Sequence, residues 1–343
     1  MKIALDATYS LGRNLSGVGV YSREILNGLA SAHPDAEFRF CYRLHRFLRS
    51  FSQPLPGNAR RRFLWKDWPA SADLFHGLNQ RIDSTRYRRA VATFHDLFVL
   101  SGDYSTAEFR QRFAAQARQA AERAQLIIAV SRFTAQQVEQ LLKVDPARIR
   151  VVRHGVRCPA KKSHPAKRER MILFVGALQR RKNVARLVQA FEQVEAGWKL
   201  VLAGSFGFGA EEILALIEHS PRKDDIQVLG YLADAVLEEL YSRASIFAFP
   251  SLDEGFGMPL LDAMAREIPV LTSNVSAMPE VVGDAASLVD PLDVTAIAEA
   301  LQKLIGNQWL REQLVQRGLE RMTEFAWDKA VKGTWEVYQE LFR

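Results

Sequence analysis

Cysteine is scarce in this chain of 343 residues, which contains only Cys41 and Cys158. Two cysteines cannot form a disulfide framework and carry no metal-ligand spacing, so we expect a reducing compartment. The chain also lacks a run of about 18 apolar residues, which a membrane-spanning helix requires. Its first ten residues begin a strand-like run and lack the apolar core of a signal peptide. These absences predict a cytoplasmic protein, and the length suffices for two domains.

Several motifs that carry enzyme chemistry are also missing from the sequence. No GxGxxG follows the first strand-like run with an acidic residue about 20 positions later, which disfavours nicotinamide binding. The P-loop pattern, the GxSxG elbow and the HExxH motif are missing as well, so hydrolase interpretations lack their nucleophile or metal. The sequence also contains no Asp-x-Asp motif, which could bind a divalent ion together with a diphosphate. We therefore expect no metal and no cofactor.

The charge of the chain is unevenly distributed. The formal net charge is +7, but residues 1–165 contain 27 Lys and Arg against 13 Asp and Glu, a balance of +14, which leaves −7 for the remainder. Arginine and aromatic residues are interleaved in "CYRLHRFLRSFSQPLPGNARRRFLWKDW" and again in "FRQRFAAQARQAAER". Nucleic acid and an anionic membrane both fit this composition, and a solvated basic face is the alternative. The usual nucleic-acid motifs are absent, so we expect no nucleic-acid partner.

Short apolar runs alternate with amphipathic stretches along the whole chain, as in "KIALDA" and "ADLFHG" of the first half and "RMILFVGA" and "WKLVLAGS" of the second. This alternation predicts parallel sheets wrapped by helices. The polar, proline-containing stretch "GVRCPAKKSHPAKRER" is typical of a linker between two doubly wound domains. We predict one domain over residues 1–160 and another over 161–325, with a C-terminal helix over about 326–343 that packs back on the first. A ligand cleft is expected between them, at the carboxyl ends of the strands.

The stretch "PSLDEGFGMPLLDAMA" places Glu254 and Asp262 on either side of a glycine turn. The preceding "SIFAFP" resembles a buried strand, and the sequence after Pro259 resembles a helix that begins there. Glycines let the backbone approach a ligand, and free N–H groups at a helix start favour an anion. A βα turn with two solvated carboxylates is the alternative.

Other candidate residues also follow predicted strands. Gly17 and Gly19 open a helix and could bring amides to a phosphate, although turn glycines are often only structural. Arg181 and Lys182 could clamp a diphosphate, or could be exposed surface cations. His95 lies at the end of a predicted buried strand. The alternative is a core histidine whose hydrogen bonds are made within the protein. For Ser131 we predict a helix N-cap.

Taken together, these motifs resemble the retaining glycosyltransferase family 4, a GT-B group that uses nucleotide sugars. The resemblance rests on "LFVGALQRRKN", "LAGSFGFG", "FAFPSLDEGFGMPLLDAMA" and "TSNVSAMPEVVGDAASLVDP" in the second half, and on "GVGVYSREIL", "TFHDL" and "IIAVSRFT" in the first. It covers nearly the whole chain and is nearest to mannosyltransferase-like members of polysaccharide and O-antigen assembly. It implies an α/β fold of the GT-B type, with two Rossmann-like doubly wound domains that face each other across a cleft.

The resemblance also implies roles for individual residues. In the family, two Glu residues separated by seven positions contact the donor sugar and the nucleotide ribose. Glu254 matches the first, and the second is Asp262 here, one methylene shorter. Arg181 and Lys182 match the cations that neutralise the diphosphate, and His95 matches the histidine that meets the donor sugar from the opposite domain. The remaining expected donor contacts are backbone amides, those of Gly17, Phe256, Gly257, Met258 and Leu260.

The chain departs from the family at two further positions, Ser205, where many relatives carry Lys, and His154, where Asn is usual. The expected activity is metal-independent transfer of a hexose, with mannose the leading candidate, from a nucleotide diphosphate sugar to a glycan or polyprenyl-linked acceptor. The basic first half favours a peripheral position on an anionic membrane surface. A sugar-nucleotide epimerase and a basic nucleic-acid-binding module are the alternatives.

Overall fold

The structure is a computed structural model that describes residues 1–12, 15–65, 71–83, 87–156 and 168–343. Two compact units divide the chain. Unit 1 contains Met1–Asp103, Ala107–Gly155 and Phe325–Arg343, and unit 2 contains Tyr104–Thr106 and Val156–Glu324. Most of the predicted linker lies outside the described residues, as does Cys158, whereas Cys41 is a buried free thiol.

Unit 1 is built on a sheet of seven parallel strands in the order β3-β2-β1-β4-β5-β6-β7. The strands are β1 (Lys2–Asp6), β2 (Glu37–Tyr42), β3 (Ala59–Phe63), β4 (Leu74–Gly77), β5 (Ala90–Phe94), β6 (Leu126–Ala129) and β7 (Ile149–Val151). The central strands β1, β4, β5 and β6 are almost wholly buried, which explains their continuous apolar runs. The sheet order reverses between β1 and β4, and ligand sites of such sheets lie at the carboxyl ends of the strands beside the reversal.

Helices cover the sheet of unit 1. They are α1 (Gly17–Ala32), α2 (Leu44–Phe47), α3 (Phe98–Ser101), α4 (Ala107–Arg123), α5 (Arg132–Leu142) and, from the end of the chain, α13 (Trp327–Glu340). Ser131 caps α5 by accepting a hydrogen bond from the amide of Thr134 at 3.0 Å, as the sequence predicts. Helices α1 and α13 pack closely at Gly28. A Cβ at this position would lie only 2.4 Å from a methyl group of Val331.

Unit 2 is built on a sheet of six parallel strands in the order β10-β9-β8-β11-β12-β13. The strands are β8 (Met171–Val175), β9 (Lys199–Ala203), β10 (Ile226–Gly230), β11 (Ile246–Phe249), β12 (Val270–Ser273) and β13 (Ala286–Val289). The helices are α6 (Val184–Phe191), α7 (Ala210–Glu218), α8 (Asp234–Arg243), α9 (Met258–Met264), α10 (Met278–Val282), α11 (Val294–Gly306) and α12 (Gln308–Met322). The sheet order reverses between the neighbouring strands β8 and β11.

Glycine allows the loops after β8 and β9 to approach each other. Gly204 has φ +153°, and a Cβ there would lie 1.9 Å from the carbonyl oxygen of Gly176. Beyond this contact the two loops remain paired, since the amide of Leu178 donates to the carbonyl of Ser205 at 2.8 Å. This pairing sets the path of the chain toward Arg181 and Lys182.

Within the described residues, no helix is both long and apolar enough to cross a membrane. The alternation of strand-like and helix-like runs predicts the two parallel sheets correctly. Strands β2 and β3 were not among the predicted runs. In β3, three consecutive arginines conceal a strand of which only Ala59 is buried.

Candidate active site

The end of β8 and the end of β11 lie side by side in the sheet of unit 2. The loop after β8 contains a short 3₁₀ turn, Arg180–Lys182, and the loop after β11 contains Glu254. This is the point at which the sheet order reverses, where open α/β sheets bind their ligands. The topology therefore brings together two segments that the sequence analysis singled out separately.

Glu254 bridges the two predicted cations. Its Oε2 lies 3.0 Å from a terminal nitrogen of Arg181, and its Oε1 accepts a hydrogen bond from Nζ of Lys182. The exposed fraction of the side chain is only 9% for Glu254, 8% for Arg181 and 10% for Lys182. The Lys182 ammonium also lies 4.6 Å from the centre of the Phe249 ring, at the end of β11. The cluster is therefore buried and has more positive than negative charge among these three groups.

The cations control the ionisation of Glu254. Burial disfavours the charged carboxylate, but Arg181 and Lys182 outweigh that effect by charge and by hydrogen bonding and hold the pKa of Glu254 below its usual range. The carboxylate is therefore ionised at neutral pH. In that state it can accept hydrogen bonds from hydroxyl groups but cannot serve as a proton donor.

Asn183 fixes the position of the cationic turn, a role that the sequence analysis missed. Its backbone has φ +59°, and its side-chain amide donates to the carbonyl of Pro250 at 3.0 Å and to that of Pro291 at 2.7 Å. It thus ties the turn after β8 to the segments after β11 and β13. A second tie is the hydrogen bond from the amide of Leu252 to the carbonyl of Arg181 at 2.8 Å.

The backbone of Glu254 is held from the other side by the loop after β12. The Glu254 amide donates to Oγ of Ser276 at 3.3 Å, and the Glu254 carbonyl accepts from the amide of Ala277 at 3.2 Å. Ser276 has φ +55°, which is uncommon for a residue other than glycine. The residues of "NVSAMPE" give no sign of this support in the sequence, because it depends on the backbone conformation of Ser276.

The predicted amide donors lie at the start of α9. Phe256 is buried, Gly257 takes φ +87° at the N-cap, Met258 is the first helical residue and Pro259 follows it, as predicted. The amide of Leu260 donates to the carbonyl of Gly257 at 3.0 Å, so it already has a partner within the chain.

Asp262 lies one turn further along α9. Its carboxylate is 3.6 Å from Arg266, and Arg266 in turn pairs with Glu238 at 2.7 Å. The Asp262 side chain is 37% exposed, so a ligand hydroxyl could reach it.

His95 and Gly17 belong to unit 1. Gly17 is exposed at the first position of α1, whose N-cap is Ser16. His95 is buried, and its Nε2 donates to the carbonyl of Leu78 at 2.9 Å, which assigns the tautomer because a carbonyl only accepts. Its Nδ1 lies 3.4 Å from Nε2 of His154, and the two rings are parallel. Burial lowers the pKa of His95 to about 4, so the ring is neutral at physiological pH.

A buried polar network, unrecognised in the sequence, lies beside this histidine pair. The Thr93 hydroxyl is 2.9 Å from the Tyr21 hydroxyl and 2.8 Å from Nε2 of His76, and Nδ1 of His76 is 2.6 Å from the Tyr338 hydroxyl. The Tyr21 ring meets the His95 ring edge-on, with centroids 4.7 Å apart. The network therefore links α1, β4, β5 and α13 around His95.

Among the described residues, no group of three or more His, Cys, Asp or Glu side chains is arranged to hold a metal ion. The charged groups that pair with one another at the ends of β8 and β11 are instead the Arg181 guanidinium, the Lys182 ammonium and the Glu254 carboxylate, and Asp253, the residue before Glu254, is also buried. Such a set can bind an anion and orient hydroxyl groups.

Comparison with known proteins agrees with this geometry. Two doubly wound parallel sheets and a cation-rich site at strand ends place the chain in the α/β GT-B class. Residues 15–158 match the family described as Glycosyltransferase Family 4, and residues 159–321 match Glycosyl transferases group 1. The O-antigen chain mannosyltransferase B of Escherichia coli is 31% identical over 99% of this chain and 100% of that protein. The chain belongs to glycosyltransferase family 4 and is a glycosyltransferase.

Solved structures support the fold. Sucrose-phosphate synthase from Thermosynechococcus elongatus matches with a TM-score of 0.79 at 20% identity, over 100% of this chain and 99% of that one. Anabaena HepE, in complex with UDP and glucose, matches with a TM-score of 0.73 at 17% identity, over 98% and 99%. The predicted family and fold class are therefore confirmed, and the epimerase and nucleic-acid alternatives are not favoured.

Proposed function

We propose that this glycosyltransferase transfers a hexose, with mannose the leading candidate, from a nucleotide diphosphate sugar to a glycan or polyprenyl-linked acceptor in polysaccharide assembly. The buried cluster of Arg181, Lys182 and Glu254 carries the proposal, because it combines two cations with a hydroxyl acceptor at the reversal point of a sheet. The name of the Escherichia coli relative supports mannose and an O-antigen acceptor.

In this proposal Arg181 and Lys182 stabilise the diphosphate as it leaves. Charge that develops on the leaving oxygens is best stabilised by groups that are already in place, and both side chains are held by Glu254 and by the paired loops. The amides at the start of α9 add to the positive field. These groups together replace a divalent ion, which makes the reaction metal-independent.

Glu254 positions the donor sugar and stabilises its positive charge in the transition state. The pKa of Glu254 is lowered by its two cationic neighbours, so the carboxylate is ionised and suited to accept hydrogen bonds from sugar hydroxyls. Asp262 would bind the ribose, and the neutral His95 would meet the sugar from unit 1.

The proposed stereochemistry is retention by attack from the same face of the sugar. The bond between the anomeric carbon and the diphosphate oxygen breaks, the acceptor oxygen bonds to that carbon, and the acceptor proton passes to the departing phosphate oxygen. No side-chain nucleophile is required in this sequence of bond changes, in agreement with the role given to Glu254.

A two-stage experiment tests the proposal. Thermal denaturation in the presence of ADP, GDP or UDP identifies the base, because a ligand at 100 times its Kd stabilises the folded state by about 2.7 kcal/mol. Transfer from the corresponding mannose and glucose donors to a polyprenyl-linked or free glycan then identifies the sugar. NMR of the product reports the anomeric configuration. Stabilisation by none of the diphosphates, or an inverted product, would refute the proposal.

A further inference from the structure

A polar cluster lies at the carboxyl ends of the adjacent strands β2, β1 and β4, where the order of the unit 1 sheet reverses. Asp6 is the last residue of β1, Arg43 follows β2, and the segment after β4 supplies the other members. We call the following residues the Arg43 cluster: Asp6, Arg43, Asn79, Arg81 and Asp83. None of them was singled out by the sequence patterns.

Arg43 lies between two carboxylates. One of its terminal nitrogens is 2.7 Å from Oδ2 of Asp83, and the other is 3.8 Å from Oδ2 of Asp6. The second distance is too long for a hydrogen bond. Asp6 is fully buried, and its other oxygen accepts from the amide of Thr8 at 3.0 Å. The side chains of Arg43 and Asp83 are 20% and 26% exposed, so a ligand can reach the cluster from their side.

Five buried side-chain atoms of the cluster have no hydrogen-bond partner among the described residues. They are Oδ2 of Asp6, Nε and Nη2 of Arg43, Oδ1 of Asn79 and Nε of Arg81. Buried polar atoms almost always have partners in native proteins, so a concentration of exceptions needs an explanation. Both donors and acceptors lack partners here, which indicates a ligand that supplies both.

The chemistry of the cluster favours hydroxyl groups over a phosphate. A hydroxyl can donate and accept a hydrogen bond, whereas a phosphate oxygen mainly accepts. Burial raises the pKa of Asp6 and the charge of Arg43 opposes that effect, but the carboxyl group can pair with a hydroxyl in either protonation state. An anion that approached Arg43 would also meet Asp83, whose carboxylate lies against the same guanidinium and would repel it.

Tyr9 presents an aromatic ring beside the cluster. It lies in the short 3₁₀ helix after β1 (Thr8–Ser10), is 38% exposed, and its hydroxyl accepts from a terminal nitrogen of Arg81 at 3.4 Å. The hydroxyl of Thr8 accepts from the amide of Arg43 at 3.3 Å, which ties this turn to the segment after β2. An exposed ring can pack against the carbon-bound hydrogens of a sugar, which leaves the sugar hydroxyls to the polar side chains.

We propose that the Arg43 cluster holds an uncharged sugar unit of the acceptor and discriminates against an acceptor end that carries phosphate. This inference rests on the proposed function, because it specifies the acceptor of that transfer reaction. The enzyme then extends an existing saccharide and does not attach the first sugar to polyprenyl phosphate. An earlier reaction, of the class that joins a sugar to the polyprenyl carrier, must supply its substrate.

Saturation-transfer NMR of the full chain tests the proposal in the absence of a donor. The probes are neutral disaccharides of mannose, glucose, galactose and N-acetylglucosamine, and the same compounds phosphorylated on the nonreducing unit. We expect at least one neutral disaccharide to bind, and its phosphorylated form to bind at least tenfold more weakly. Binding of none of the neutral disaccharides, or equal binding of the two forms, would overturn the proposal. Thermal denaturation with nucleoside diphosphates reports the donor site separately, so failure of the proposed transfer reaction is distinguishable.

Asp83→Asn removes the charge that repels an anion at Arg43. Binding of the neutral disaccharide should weaken about tenfold, because a hydrogen bond to a charged group is lost. Binding of the phosphorylated form should strengthen, and a looser fold would not produce these opposite changes. Glu340→Gln is the matched control, since Glu340 forms an ion pair of the same length, 2.7 Å, with Arg150 of unit 1 and should leave both ligands unaffected. A parallel loss of both ligands in Asp83→Asn would indicate a purely structural cluster and refute the proposal.

Arg81→Gln keeps the ion pair of Arg43 with Asp83 and remains informative if Asp83→Asn disturbs the fold. It should weaken binding of the neutral disaccharide about tenfold. In transfer assays, KM for the saccharide acceptor should rise while KM for the donor stays unchanged. Arg118→Gln, at an exposed arginine of α4, is the control and should change neither. Equal KM values in the two variants would contradict the proposal, as would efficient transfer by the unmodified enzyme to polyprenyl phosphate that carries no sugar.

Discussion

Lys182 and Glu254 lie 72 positions apart in the sequence and form a buried ion pair at the adjacent ends of β8 and β11. Arg181 completes the arrangement by contacting the second oxygen of the same carboxylate. The carboxylate therefore holds two cations in position, and the two cations keep that carboxylate ionised.

Replacement of Glu254 by Gln should lower transfer by about two to three orders of magnitude, the scale expected for loss of one preorganised charge. The unfolding free energy should also fall by about 3–5 kcal/mol, because two buried cations lose their counter-charge. Steady-state kinetics and chemical denaturation measure the two effects. Glu212→Gln, at the exposed partner of Arg180, is the matched control and should change neither. Near-normal turnover of Glu254→Gln would remove this residue from the site.

Replacement of Lys182 by Ala should lower transfer by about two to three orders of magnitude if Lys182 stabilises the leaving diphosphate. The neighbouring Arg180 pairs with Glu212 on the surface, so Arg180→Ala should retain nearly full activity. Activity of the unmodified enzyme should persist in EDTA. Inactivation by EDTA that added magnesium or manganese reverses would contradict the metal-independent reaction.

Replacement of Asp262 by Glu restores the length of the family side chain and should leave transfer within about tenfold of normal, because the carboxylate and its hydrogen bonds remain. Asp262→Asn should reduce transfer more than Asp262→Glu does, because the charged hydrogen-bond acceptor is lost. The informative measurement is KM for the nucleotide sugar in both variants. If Asp262→Glu instead lowered transfer a hundredfold, the site would require the shorter side chain.

The buried histidines of unit 1 should make stability fall as the solution becomes acidic. Burial lowers the pKa of His76 to about 3 and that of His95 to about 4, and it also holds the pKa of His154 well below its usual range. Below about pH 6.5 the unfolded chain binds protons that the folded protein does not. The unfolding free energy should therefore be constant above that pH and fall by about 1.4 kcal/mol per pH unit for each imidazole, toward about pH 4.

His154→Asn provides the comparison, because Asn is the residue expected at this position in the family. Denaturation curves between about pH 7 and pH 5 should show a smaller slope in this variant, and the difference should approach about 1.4 kcal/mol per pH unit toward pH 5. Other titrating groups, such as the buried Asp6 with its raised pKa, contribute equally to both proteins. Identical slopes would show that His154 is not a buried neutral imidazole.

Much of the fold could be predicted because the central strands of both sheets are buried on both faces and are therefore continuous apolar runs. "RMILFVGA" and "SIFAFP" are clear examples, and they became β8 and β11. β3 was missed because an edge strand needs few buried side chains, and Arg60 to Arg62 conceal its single buried alanine. Local patterns cannot reveal a strand whose stability comes from pairing with a distant neighbour.

The individual site residues could be proposed from the sequence, but their pairing could not. Arg181, Lys182 and Glu254 were each expected to contact the donor, whereas their ion pairs with one another depend on which strands are adjacent. Asn183 and Ser276 were missed because both act through a backbone with positive φ and through hydrogen bonds to remote carbonyl or amide groups. Hydrogen bonds of this kind produce no periodic pattern in the sequence.

Helix α13 has a consequence for the order in which the protein folds during synthesis. The chain leaves unit 1 at Gly155, completes unit 2 and returns to unit 1 only at Phe325. Tyr338 then supplies the hydroxyl that pairs with the buried His76. Domains usually fold in the order in which they leave the ribosome, but here the first sheet emerges long before α13, one of the helices that cover it. Unit 2 can therefore fold first, while the sheet of unit 1 awaits the synthesis of α13.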